Sequence, residues 1–178
     1  MSGALSAISA DVRRGAAATP GERFSLAILT SFGLGLAPVA PGTFGTLGGV
    51  AIHGLLVALG AGQALALAAA AAVFFLATCA LGRVAQRRYG TKDPQRVVSD
   101  EVAGYLAAVA GVGSATTPFF AVALPGFVLF RILDIAKPWP IGRLERLPGG
   151  LGIAADDLAA GLVANLVLRG AFALAGAS

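Results

Sequence analysis

The sequence predicts an all-α fold: a single-domain helical bundle with several hydrophobic helices that associate with a membrane or span it. Three observations predict this. Apolar runs of helical length recur along the chain, with no strand-like alternation to compete with them. Hydrophobic residues make up 57% of the 178 and charged residues only 12%, with a mean hydropathy of +0.82, far from the usual soluble composition. The few charges also collect at the ends of the apolar runs rather than along them, where a bilayer tolerates them.

No stretch resembles an interdomain linker, and the length suits one domain. Residues 1–18 are expected to be a flexible N-terminal segment and 19–178 a single helical domain. The opening "MSGALSAISADVRRG" lacks the long apolar core of a secretory signal, so membrane entry is expected through the chain's own spans.

The helical domain opens on "TPGERF", where Thr19 is placed to cap, Pro20 to occupy the first helical position and Glu22 to complete a capping box. The helix is expected to run from Pro20 until Pro38 and Pro41 stop it, leaving the Gly/Pro/Thr-rich "APVAPGTFGTLGG" as an irregular loop. Two apolar segments follow, Leu47 to Leu59 and Ala64 to Leu81, divided by "GAGQ". At about 1.5 Å per residue only the second approaches a bilayer core of about 30 Å, so a tilted or partly inserted hairpin is expected.

After the polar loop "GRVAQRRYGTKDPQRVVSDE" a second hairpin is expected, Val102 to Ala110 and Phe119 to Ile135, turning at "GVGSATTP". A polar loop from Lys137 to Asp157 then leads into the last apolar segment, Leu158 to Ala175. Each hairpin returns the chain to the side it left, so the polar regions are expected on one membrane face. Twelve of the thirteen basic residues, all but Arg169, and all nine acidic residues fall there. The positive-inside rule makes that face cytoplasmic. The net charge of +4 fits the anionic leaflet better than nucleic acid, because the basic residues flank apolar runs and have no aromatic stacking partners.

Four stretches carry candidate chemistry, each with a structural reading beside it. Asp100 and Glu101 follow Ser99 at a helix start, where a cap and the helix dipole would account for them. Asp156 and Asp157 open the last helix, but a cap needs one acid, and two adjacent carboxylates repel unless a cation joins them. Arg131, Asp134 and Lys137 in "FRILDIAKPWP" share a helix face, either as an ion-pair ladder or as a charged site at the membrane edge. "PGTFGTLGG", with Gly42, Thr43 and Gly45, is either a flexible turn or a backbone cradle for phosphate.

Other chemistry is set aside. Cys79 is the single cysteine and His53 the single histidine, both within apolar runs, so neither a thiolate or imidazole metal site nor a Ser-His-Asp triad has its parts. Several carboxylates with no His or Cys beside them point to a hard cation such as Mg²⁺.

Taken in order, "GLGLAPVAPGTFGTLGG", "VVSDEVAG", "FRILDIAKPWPI" and "PGGLGIAADDLAAG" resemble the phosphatidylglycerophosphatase A family across Gly33 to Gly161. The resemblance implies an all-helical, multi-pass enzyme of the bacterial inner membrane with its active site facing the cytoplasm. It implies a Mg²⁺-dependent phosphatase that removes the terminal phosphate of phosphatidylglycerophosphate to give phosphatidylglycerol. On that reading Asp100, Glu101, Asp134, Asp156 and Asp157 form the pool of Mg²⁺ ligands and water-orienting bases. Arg131 and Lys137 meet the phosphate oxygens, and Thr43 with the backbone around Gly42 and Gly45 holds those that do not react. A covalent phosphoryl-aspartate route stays open. The loop after Gly82 departs from the family pattern and is expected to tune lipid contact only.

Two rivals remain at this point. One is a non-catalytic transporter or assembly subunit, which polar residues along whole spans would favour. The other is a phosphatase of the same fold acting on another phosphorylated lipid.

Overall fold

The computed structural model describes residues 17–60, 63–114 and 116–176. The expected flexible segment, with Asp11, Arg13 and Arg14, therefore lies outside the described residues up to position 16. Six α-helices and two 3₁₀ turns make up the described chain, with no strand among the described residues. They are α1 (Pro20–Leu29), α2 (Pro41–Ala58), α3 (Gln63–Tyr89), α4 (Ser99–Val109), α5 (Phe119–Ala136) and α6 (Gly150–Leu174), with 3₁₀ turns at Leu34–Leu36 and Ile141–Arg146.

The capping box at the start of α1 forms as its sequence dictates. The amide of Glu22 donates to Thr19 Oγ1 at 3.2 Å, and the amide of Thr19 donates to Glu22 Oε2 at 3.0 Å. The expected continuation to Pro38 does not form. Ser31, Phe32 and Gly33 all adopt positive φ, which reverses the chain. Thr30 Oγ1 accepts the Gly33 amide at 3.2 Å and offers the backbone an alternative to the helix ladder.

The expected loop at Pro41 is instead the start of α2. Pro41 occupies the first turn, where its missing N–H costs nothing. The glycines that read as loop punctuation are contact points: a Cβ on Gly45 would lie 2.7 Å from Cβ of Val98. Small residues allow helices in an apolar bundle to approach closely, and that packing offsets the lower helix propensity of glycine. Starting six residues earlier than the expected apolar run, α2 becomes long enough to cross a membrane. With α3, α5 and α6 it makes four such helices among the described residues, by length and composition.

At the centre lies α4, only eleven residues, nearly all of them buried. It packs against α2, α3, α5 and α6. Tyr105, Leu106, Ala108 and Val109 join Val122 and Phe130 of α5 and Ala160 and Ala164 of α6 in the main core. Gly104 and Gly161 permit the closest approach, since a Cβ on Gly161 would lie 2.1 Å from the Gly104 carbonyl oxygen. The far end of α4 is closed by α6. Asn165 Nδ2 donates to the carbonyls of Ala108 and Ala110 at 3.0 and 2.9 Å, and Arg169 donates to Ala110 at 2.9 Å. Arg169, the cation that stood apart in the sequence, therefore serves orphan helix carbonyls.

Candidate active site

The polar regions converge as the paired-hairpin reading expects. A cavity of about 350 Å³ is lined by the start of α2 (Pro41, Gly42), the start of α4 (Asp100, Glu101), the end of α5 (Arg131, Asp134, Lys137) and α6 (Asp156, Asp157). Each enters from a different helix, so the bundle alone brings them together. Thr43 and Gly45 are not among the cavity walls. Gly45 faces Val98, while Gly42 remains at the cavity with Ala40 and Pro41.

Asp100 and Glu101 stand in the first turn of α4, where Asp100 Oδ1 accepts the Glu101 amide at 3.1 Å, but the expected serine cap and the second acidic pair are not caps. Ser99 is the first helical residue of α4, after Val98, and makes no capping bond. Its hydroxyl instead meets Thr78 Oγ1 at 2.7 Å in the core. Asp156 and Asp157 stand well inside α6, which already begins at Gly150. The helix starts early because Gly150 and Gly152 tolerate backbone contacts that a side chain would not. A Cβ on Gly150 would lie 2.2 Å from the Thr78 carbonyl oxygen. Both aspartates are thus buried with no helix terminus to serve.

The charged face of α5 is divided. Arg131 Nη1 donates to Asp134 Oδ2 at 2.5 Å. Lys137 leaves the helix, in the left-handed region at φ 42°, and crosses to other elements. Its ammonium donates to Asp156 Oδ2 at 2.6 Å and to Glu145 of the second 3₁₀ turn. Burial acts to lower the Lys137 pKa, but these two carboxylate partners outweigh it and hold the ammonium above its ordinary value.

Of the five candidate carboxylates, three form no ion pair among the described residues. One oxygen from each of Asp100, Glu101 and Asp157 lies within 4.8 Å of the others. Burial, then the charges of Glu101 and Asp157, pushes the Asp100 carboxyl well above the usual range. Burial also drives Glu101 up to about 7. Glu101 Oε2 and Asp156 Oδ1 are buried with no hydrogen-bond partner. An unpartnered buried acceptor is costly, and a carboxylate oxygen in that state is suited to a cation or a proton donor. The donor set fits a hard divalent ion: it is all oxygen, converging and anionic.

Asp93 and Gln95 also line this cavity, and sequence reasoning missed them. Their loop was expected to touch lipid only, and the structure corrects this. The signal was present, because Asp93 is one of only nine acidic residues. Glu145 was likewise passed over as one charge in a polar loop. In all, six carboxylates and two cations line the cavity.

His53 and Cys79 stand outside it. His53 is buried, with Nδ1 3.1 Å from the Tyr105 hydroxyl and its ring against Phe119.

Fold and site together define a class: helical proteins with a carboxylate-rich, cation-bearing cavity at one end of membrane-length apolar helices. Comparison with known proteins narrows that class. The chain matches the phosphatidylglycerophosphatase A family over residues 27–172 and belongs to it, which makes it a member of a phosphatase family. It is 34% identical to phosphatidylglycerophosphatase A of Haemophilus influenzae over 142 residues, covering 79% of this chain and 84% of that one. It is 33% identical to the Escherichia coli protein of the same name over 145 residues, 79% of each chain. A Bacteroides thetaiotaomicron protein named "Putative phosphatidylinositol-3-phosphatase" is 35% identical over 141 residues, 78% of this chain and 87% of that one. No solved structure matches the chain. Membership of a phosphatase family sets aside the transporter and assembly-subunit reading.

Proposed function

We propose that this protein is a Mg²⁺-dependent lipid phosphatase that hydrolyses the terminal phosphate of phosphatidylglycerophosphate. One observation carries the reading: Asp100, Glu101 and Asp157 converge beside Arg131 and Lys137 in one cavity. With six carboxylates against two protein cations, a phosphate dianion would be repelled unless a divalent cation entered first. The orphaned Glu101 Oε2 supports Asp100, Glu101 and Asp157 as its holders. When bound, Mg²⁺ would neutralise phosphate charge and make a coordinated water more acidic.

The chain's own residues supply the rest. Arg131, oriented by Asp134, presents its guanidinium to phosphate oxygens, and a planar donor fork suits that geometry. Lys137 is held over the same cavity by Asp156 and Glu145 as a second, compact charge. The unpartnered Asp156 Oδ1 can accept a proton or orient water. Gly42 keeps the start of α2 clear of side-chain bulk, so that the helix end can approach the anion. Thr43, off the cavity wall, would act only through the backbone there.

The headgroup assignment follows the relatives named phosphatidylglycerophosphatase A. The third relative's name keeps a second lipid phosphomonoester in view. In the proposed setting the enzyme spans the bacterial inner membrane several times, with the cavity at the cytoplasmic face and lipid as its partner. The test is phosphate release by purified protein, with Mg²⁺ or with EDTA, from phosphatidylglycerophosphate, phosphatidylinositol-3-phosphate and phosphatidic acid. Mg²⁺-dependent release strongest from the first is expected. Equal release in EDTA would refute the metal assignment, and preference for another lipid would refute the headgroup.

A further inference from the structure

Beside the polar cavity runs a second depression of about 460 Å³, lined by Phe127, Val128, Arg131, Ile132, Ile135 and Ala136 of α5. Its walls are wholly apolar, so Arg131 contributes the methylene stem of its side chain and not the guanidinium. That guanidinium lies on the other side, bonded to Asp134 in the polar cavity. Arg131 is therefore the shared wall of a charged cavity and an apolar groove. Ile132 and Ile135 are 56% and 71% exposed, on a helix long and apolar enough to cross a membrane.

We propose that this groove seats an acyl chain of the lipid whose phosphate enters the neighbouring cavity, and that Val128 and Ile132 set the enzyme's requirement for a long-chain substrate. The proposal rests on the lipid phosphatase reading. Its occupant follows from continuity: an amphiphile with an anionic head on the Arg131 guanidinium has its tail delivered to the stem of the same residue. From Ala136 to Phe127 the helix descends about 14 Å at 1.5 Å per residue, room for a substantial part of a chain. A long cationic side chain with an apolar stem and a polar tip suits that boundary. Binding energy gathered along the groove, away from the reacting bond, would hold the phosphate in register.

The experiment measures kcat/KM for phosphate release from dioleoyl and dihexanoyl phosphatidylglycerophosphate, using full-length protein in detergent micelles with Mg²⁺. Wild type is expected to prefer the dioleoyl substrate. Val128→Trp and Ile132→Trp, both at partly open positions, fill the groove and should each lower the dioleoyl-to-dihexanoyl ratio about tenfold. Leu124→Trp, exposed on the same helix but outside the groove, should leave the ratio unchanged. An unchanged ratio in both groove variants, an equal fall on both substrates, or the same fall in Leu124→Trp would overturn the proposal. So would a change of oligomeric state without a change in ratio, which would assign the groove to a second copy. A wild-type protein inactive on both substrates would instead refute the phosphatase reading, and the groove assignment with it.

Discussion

Gly42 and Glu101 touch across the start of the cavity so closely that a Cβ on Gly42 would stand 2.4 Å from Glu101 Oε1 and 3.1 Å from Arg131 Nη1. A glycine in the first turn of α2 is therefore a condition on where a carboxylate and a guanidinium from two other helices can sit. Gly42→Ala should displace both groups while filling no part of the core. Turnover should fall roughly 10²-fold, as for other displacements of about 1 Å, with the thermal midpoint little changed. Wild-type turnover in a folded Gly42→Ala protein would show that the contact does not order the site.

The carboxylate cluster predicts how metal-free protein responds to pH. Asp100 and Glu101 have raised pKa values in the fold, about 7 for Glu101, against about 4 unfolded. The folded state then binds more protons than the unfolded one across that interval, so stability falls as pH rises through it. In EDTA the thermal midpoint should drop by roughly 5 °C between pH 5 and pH 7.5. Added Mg²⁺ should restore it at pH 7.5, where the carboxylates are free to bind, and have little effect at pH 5. A midpoint that rises with pH in EDTA would contradict the clustering.

What could be read from the sequence divides along physical lines. The capping box at Thr19 and the helical character of the apolar segments followed from local chemistry and held. The start of α2 was misread because glycine signals a loop when judged by propensity, and a close helix contact when judged by packing. Only the partner, Val98 for Gly45, decides between them. Ser99 was misread for a similar reason: a serine before two acids looks like a cap until Thr78 is known to face it. The candidate acids could be picked out because so apolar a chain has few of them. Their division into an Arg131 partner, a Lys137 partner and an unpaired trio depends on which helices cross, and no local pattern records that. Asp93 was missed because nothing in "TKDPQR" shows that its loop folds back over the cavity.

Loss of the single histidine should separate stability from chemistry. His53→Ala removes a buried contact with Tyr105, which should cost about 1 to 3 kcal/mol. Turnover at a temperature where the variant is folded should stay near wild type. Cys79→Ala, at a half-buried position, should change neither quantity by much. A folded His53→Ala protein with turnover reduced tenfold would place the imidazole in the reaction.

A Cys79→Ala background also permits a test of topology by thiol labelling. Cysteines at Lys92 and Arg146, at the cavity end, should react with a membrane-impermeant reagent from one side. A cysteine at Leu59, which is exposed beyond the end of α2, should react only from the other. If the positive-inside rule holds here, the first side is the cytoplasm. Labelling of Lys92 and Leu59 from the same side would break the arrangement of α2 and α3 as a crossing pair.

Asp134→Asn decides whether the α5 charges serve chemistry or only the helix end. Asp134 and Arg131 are nearly enclosed, with side chains 11% and 17% exposed, so the substitution should cost about 1 to 3 kcal/mol of stability on either reading. Stability therefore cannot distinguish them, and the rate must. Asparagine keeps the size and one oxygen acceptor but loses the charge that fixes the Arg131 fork. If the guanidinium stabilises charge on the transferring phosphoryl group, kcat should fall roughly 10²-fold or more, equivalent to about 2.7 kcal/mol of barrier. Asp134→Glu, which retains the charge, should recover part of that loss. Measuring kcat and thermal midpoint on one preparation keeps the two effects apart. A folded Asp134→Asn enzyme turning over at the wild-type rate would leave "FRILDIAKPWP" as an ion pair that closes a helix and nothing more.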